Sequence, residues 1–134
     1  MTENNSQEKY LEFQTLNQKL GQMNQELNLM EQQLMELKII EESLINLKKV
    51  KPGTKTLSSV GPGIFAESRL DNNKEVLMNI GASVVVKKSI LSAKTTISNK
   101  VEKINELMKQ LQKEIESVNG NLQKLSRDLI ESER

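Results

Sequence analysis

An α+β chain dominated by helix, with a long antiparallel two-helix coiled coil joined by a head of two small β-hairpins, is the fold class that three features of this sequence predict. Apolar residues recur at alternating three- and four-residue spacings through two long flanks. Only residues 52–89, between those flanks, carry the residue types of strands and tight turns. The two repeating stretches, 13–44 and 97–129, are also nearly equal in length, so a chain that reverses between them can lay one against the other.

Residues 1–8 lack periodicity and are expected to fray, placing the first helix at 8–51. Phe13, Leu20, Leu27 and Leu34 then occupy heptad position a, and Leu16, Met23, Met30, Leu37 and Leu44 occupy d, the pattern of a left-handed coiled coil. The next a position is Glu41. Ile39, Ile40, Ile45 and Leu47 lie off the seam and widen the apolar arc, as expected where a helix faces strands as well as a partner helix. Pro52 disfavours helical geometry at Lys51, and Gly53 offers a flexible exit.

In the head, apolar runs at 56–60, 64–70, 75–80 and 83–87 are interrupted at Gly61-Pro62-Gly63, Asp71-Asn72-Asn73 and Gly81-Ala82, residues that tolerate positive φ or fix it. Four short strands follow from this punctuation. Ser89 or Ser92 can then cap a second helix at 90–132. Its seam runs through Ile90, Ile97, Val101, Ile104, Met108, Leu111, Ile115, Val118, Leu122, Leu125 and Leu129, while Gly21 and Gly120 fall on solvated positions b and f. At about 1.5 Å per residue each seam is roughly 50 Å long, so the expected arm has the head at one end and both chain ends at the other.

Composition narrows the chemistry. There is no Cys, His or Trp, which removes disulfides, thiolate nucleophiles, imidazole bases and most zinc sites. Aromatic residues are Tyr10, Phe13 and Phe65 alone, so a core must be built from aliphatic side chains. The carboxylates are scattered over helix surfaces among lysines, and neither GxxxxGK[ST] nor GxGxxG occurs, so no enzyme, cofactor or metal is expected. Net charge is +1, but residues 46–95 hold nine basic and three acidic residues, either a docking surface for an acidic partner or lysines that discourage stray pairing at edge strands. The polar beginning without an apolar run predicts no secretory signal, and no segment approaches the ~18 residues of a membrane span, so a soluble cytoplasmic protein without membrane partners is expected. An RNA-binding arm would need a basic stripe bearing aromatic rings; these flanks are net acidic and nearly free of rings, so no nucleic-acid partner is expected.

Function is therefore expected in apolar surface. Small sheets leave their edges open, so Val60, Ile64, Phe65, Val76, Leu77, Met78, Ile80, Val84, Val85 and Val86 are candidates for contact with other subunits. At the free ends of the helices, Tyr10, Leu11, Phe13, Leu16, Leu122, Leu125, Leu129 and Ile130 either plug the end of the pair or lend apolar contact to a partner without fixed shape.

The order helix, two hairpins, helix resembles prefoldin, and the head resembles its alpha class in three places. These are Leu57-Ser58-Ser59-Val60 before the Gly61-Pro62-Gly63 turn, the strand at 64–70 leading into the Asp71 turn, and Val76-Leu77-Met78-Asn79-Ile80-Gly81-Ala82-Ser83 before a strand closing on Lys88-Ser89. Ser83 stands where that pattern often has a second Gly. The resemblance implies a hexamer of two alpha-class and four beta-class subunits, joined by intersubunit β-barrels built from the heads. It implies an ATP-independent holdase that captures unfolded client proteins at the eight end residues named above and transfers them to a group II chaperonin. Two hairpins favour the alpha class, since beta-class members have one. A homo-oligomeric or filamentous scaffold of the same fold is the alternative.

Overall fold

Heptad spacing and the near absence of β-branched residues before Ile39 favour one long helix at the start of the chain, and the computed structural model, which describes residues 2–132, contains it. In chain order the elements are α1 (Thr2–Lys49), β1 (Lys55–Gly61), β2 (Ile64–Arg69), β3 (Glu75–Gly81), β4 (Val84–Ser89) and α2 (Ile90–Ser132). The helix thus begins at Thr2 rather than near residue 8; Met1 lies outside the described residues. Ser6 and Lys9 continue the a and d positions and are partly covered, so the stripe persists where its apolar signal has gone. Strand limits differ from the expected ones by one or two residues.

The described chain forms two units, residues 2–34 with 103–132 and residues 35–102. In the first, Met23 of α1 and Leu111, Val118 and Leu122 of α2 are buried together, flanked by Phe13, Leu16, Leu20, Leu27, Met30 and Ile115. Lys9 Nζ lies 3.7 Å from Asp128 Oδ2, so an early residue of α1 meets a late residue of α2 and the two segments run antiparallel. Both side chains are substantially exposed, and an ion pair of this kind contributes little to stability.

In the second unit the core is Leu44, Ile90, Ala93 and Ile97, with Leu37, Leu47 and Val101 from the helices and Val76 and Met78 from β3 packed around it. Ala93 is fully buried although it lies off the a/d frame. Its small methyl lets elements approach closely at the start of α2. Ser89 is the N-cap, its Oγ accepting a hydrogen bond from Ser92 N–H at 3.0 Å.

Polar contacts fix how the hairpins leave the helices. Asn73 Nδ2 donates to Val50 O at 3.0 Å and Lys48 O at 3.4 Å, satisfying carbonyls that the end of α1 leaves without partners. Asn72 Oδ1 accepts from Lys74 N–H at 2.7 Å and Glu75 N–H at 3.3 Å, an Asx turn that opens β3. Ile90 N–H donates to Lys74 O at 2.8 Å, and Gly53 N–H to Leu70 O at 2.6 Å. The segment 70–74 therefore ties both helix ends to both hairpins.

β1 with β2 and β3 with β4 form two separate two-stranded antiparallel sheets. The first hairpin turns through Pro62 and Gly63, the latter at φ 74°, a proline followed by a positive-φ glycine as type II turns favour. The second turns through Ala82 at φ 50° and Ser83 at φ 62°, so both central residues adopt the left-handed conformation of a type I′ turn without glycine at either. Each such residue costs roughly 1–2 kcal/mol. Ser83→Gly is expected to raise the midpoint of chemical denaturation, by up to about 1 kcal/mol in stability after the added freedom of the unfolded chain is counted; a lowered midpoint would show that Ser83 bears no strain. Gly120, exposed in α2 with nothing within 4 Å of an added Cβ, gives a second test: Gly120→Ala is expected to stabilise by about 1 kcal/mol.

Candidate functional site

Each unit leaves apolar side chains outside its core. In the first unit one set lies at the end of the helix pair that carries the early turns of α1, while Leu29 and Leu107 are exposed farther along the helices. A helix exposes the positions it does not turn toward its partner, and Tyr10 and Leu11 occupy e and f; they are 57% and 64% exposed, and Ile130 of α2 is 55% exposed. Tyr10, Leu11 and Leu129 line an open depression of about 470 Å³ together with Ser6, Gln7 and Ser132. The other end residues are used differently. Phe13 and Leu16 are half-buried against the Met23 cluster, Leu122 belongs to that cluster, and Leu125 is buried. Of the eight candidates, Tyr10, Leu11 and Ile130 thus stand free, Leu129 is half-covered, and the remaining four hold the helices together.

The head candidates divide in the same manner. Strand alternation sends Val76 and Met78 toward Leu44 and Ile97, and Val86 is half-buried. Leu77 and Val85 lie on the opposite face and are exposed, and Ile80 and Val84, beside the turn, are exposed as well. The first hairpin buries no large apolar side chain: Val60 is 67% exposed, and Ile64, Phe65 and Leu57 are similarly open. Leu57, which the sequence reading left out, pairs across from Glu67, and Phe65 pairs across from Ser59 on the same face. Position 57 has the strand period that would have found it.

The basic residues of the head do not form ion pairs with its acids among the described residues. Lys55 lies directly opposite Arg69 where the first hairpin opens, a like-charge cross-strand pair. Lys87 is exposed, while Lys88 donates from Nζ to Thr96 Oγ1 at 3.3 Å. Among the described residues no group of three or more carboxylates converges as a metal site requires, and no helix is long and apolar enough to cross a membrane.

Comparison with known proteins bears on this arrangement. Residues 16–131 match the family described as prefoldin subunit. No curated protein matches the chain. Among solved structures, the chain is similar to the cryo-EM structure of filamentous PFD from Methanocaldococcus jannaschii, with a TM-score of 0.77 and 16% sequence identity over 86% of this chain and 95% of that one. At this identity the likeness speaks for the fold: two long helices with two small antiparallel hairpins.

The division of β3 into inward and outward residues can be tested by two truncations. Met78→Ala, which removes contacts with the chain's own helices, is expected to cost about 1–2 kcal/mol in unfolding experiments, below the 2–5 kcal/mol of a fully buried site. Leu77→Ala, at a position 73% exposed, is expected to leave the stability of the dissociated chain within about 0.5 kcal/mol of wild type. The reverse order of effects would place the other face of β3 against the helices.

Proposed function

This chain belongs to the prefoldin subunit family, and from that premise we propose that it is a subunit of an ATP-independent holdase chaperone that binds unfolded polypeptides at the end of its helix pair. Members of the family are chaperones rather than enzymes and oligomerise with other prefoldin subunits. The observation that carries the reading is the free standing of Tyr10, Leu11 and Ile130 beside an open depression, where a helix pair that only needed closing would have covered its largest apolar groups. Client contact then falls chiefly to these three and to Leu129, with Phe13, Leu16, Leu122 and Leu125 supporting them from the seam.

The hairpins supply assembly. Val60, Ile64, Phe65, Leu77, Ile80, Val84 and Val85 present apolar area that this chain does not cover, and sheets of two strands are not independently stable in water. We assign the chain to the alpha class on its two hairpins, and its place to a hexamer of two alpha-class and four beta-class subunits whose heads close into β-barrels, in the cytoplasm. Val76, Met78 and Val86 then contribute by orienting the outward face rather than by crossing the interface. The lysines of the head suit an acidic docking partner, and transfer of clients to a group II chaperonin follows from the family reading.

A second reading, a homo-oligomeric or filamentous scaffold, is favoured by the likeness to a filamentous structure and by the uncovered first hairpin. Native mass measurement of the purified chain, alone and with a beta-class partner, separates the two: growth beyond a defined small oligomer without partner supports the scaffold.

Two variants test the proposal. Combined Tyr10→Ser, Leu11→Ser and Ile130→Ser is expected to weaken binding of an unfolded probe by roughly tenfold or more while leaving native mass and helicity unchanged. Unaltered protection against aggregation would remove this end from the function. Val85→Asp places a charge on the outward face of β4, where the chain's own core is untouched, and is expected to yield dissociated subunits; an oligomer of unchanged mass would show that this face takes no part in assembly.

A further inference from the structure

The outward faces of the two helices differ in chemistry within the unit formed by residues 2–34 and 103–132. In the heptad frame set by Phe13 and Leu16, the positions farthest from the partner are b, c and f. From Leu11 to Gln32 these are ten positions on α1, all exposed, and none carries a charge. Six are amides: Gln14, Gln18, Gln22, Gln25, Asn28 and Gln32. The others are Leu11, Thr15, Gly21 and Leu29, with Leu29 59% exposed. The corresponding face of α2 is an ordinary solvated one, bearing Lys103, Glu106, Lys109, Lys113, Glu116 and Lys124. Charged residues make up 28% of the chain, so a run of ten exposed outward positions without one is a departure from its own composition.

We propose that this neutral face of α1 is a track for extended polypeptide, continuing the end depression along the helix, and that α2 takes no part in it. The proposal rests on the holdase reading above and names the feature of the client that is recognised, the uncharged peptide backbone with its apolar side chains. Each Gln or Asn offers one carbonyl acceptor and two N–H donors, the same set that an unfolded main chain needs and that every client shares. Neutral groups neither repel a client of either sign nor require a charge to be stripped of water when an apolar side chain settles on Leu11 or Leu29. Two depressions support continuity, because the one lined by Gln7, Tyr10 and Leu129 and a second lined by Gln14, Thr15 and Gln18 share Leu11.

The test uses the assembled full-length protein and a permanently unfolded probe, reduced and alkylated α-lactalbumin labelled for anisotropy. One variant carries Gln14→Glu, Gln18→Lys, Gln22→Glu and Gln25→Lys, which preserves net charge and helix propensity. Its control carries Lys109→Gln, Lys113→Gln and Glu116→Gln on α2. The α1 variant is expected to bind the probe roughly tenfold more weakly at unchanged helicity and native mass, with the control unaffected. Wild-type-like binding by the α1 variant, with binding still lost on the Tyr10, Leu11 and Ile130 substitutions, would overturn the track and leave the holdase reading intact. Loss of neither would remove both. Equal weakening by the α2 control, or a change in native mass of the α1 variant, would also overturn the track, the latter by making this face a contact between subunits.

Discussion

A pair of helices can hide only the stripe that each turns toward the other, and most features of this molecule follow from that limit. Among the described residues no large side chain is fully enclosed, and the buried apolar residues fall into two small clusters. A third layer would be needed to cover the remaining arcs of each helix. In the helix pair of the first unit, apolar groups placed outside the seam therefore stay in water. Tyr10 and Leu11 do so because e and f have no partner, and no change of rotamer would bring them into the seam.

The same limit operates in the head with sheets in place of helices. A two-stranded sheet has two faces, and the helices of this unit supply cover for one face of the second hairpin only. Val76 and Met78 gain it, Leu77 and Val85 do not, and the first hairpin gains none for its large apolar side chains. Side chains of strand-forming type are thus left bare on two ribbons whose backbones also have unpaired edges. The uncovered surfaces differ in kind: backbone edges with apolar faces in the head suit a partner of fixed geometry, whereas side chains on a helix surface suit one without it.

Much of this was legible in the residues. The seam at 13–44 and 97–129 appears as read, including Glu41 at a half-covered a position, because heptad spacing and burial are two expressions of one geometry. The turns at Gly61-Pro62-Gly63 and after Ile80 were legible through glycine and proline. What escaped reading was the direction of β3. Val76-Leu77-Met78 is apolar at successive positions, so the alternation that distinguishes inward from outward is missing and the pattern allows either face to meet the helices. Ala93 escaped because a methyl gives little hydropathic signal, although it is fully buried in the cluster against which Val76 and Met78 of β3 pack. The start of α1 escaped because Ser6 and Lys9 carry the stripe without apolar character. At the helix end, spacing put Leu122 and Leu125 on the seam and Ile130 off it, and burial follows that division.

The orientation of the hairpins depends on a different kind of interaction from the one that holds the helices. Apolar packing is non-directional, and the contact of Val76 and Met78 with the helix core would tolerate some sliding and rotation of the sheet. Hydrogen bonds do not tolerate it. Asn73 reaches back to the last carbonyls of α1, Asn72 fixes the first amides of β3, and the carbonyl of Lys74 receives the first amide of α2. Three consecutive residues thus set the exit from one helix, the start of a strand and the entry to the other helix. Directional polar contacts concentrate at 70–74 and are sparse along the helix pair, so the hairpins are held at a set angle to the helix ends, whereas the helix pair is held mainly by non-directional packing.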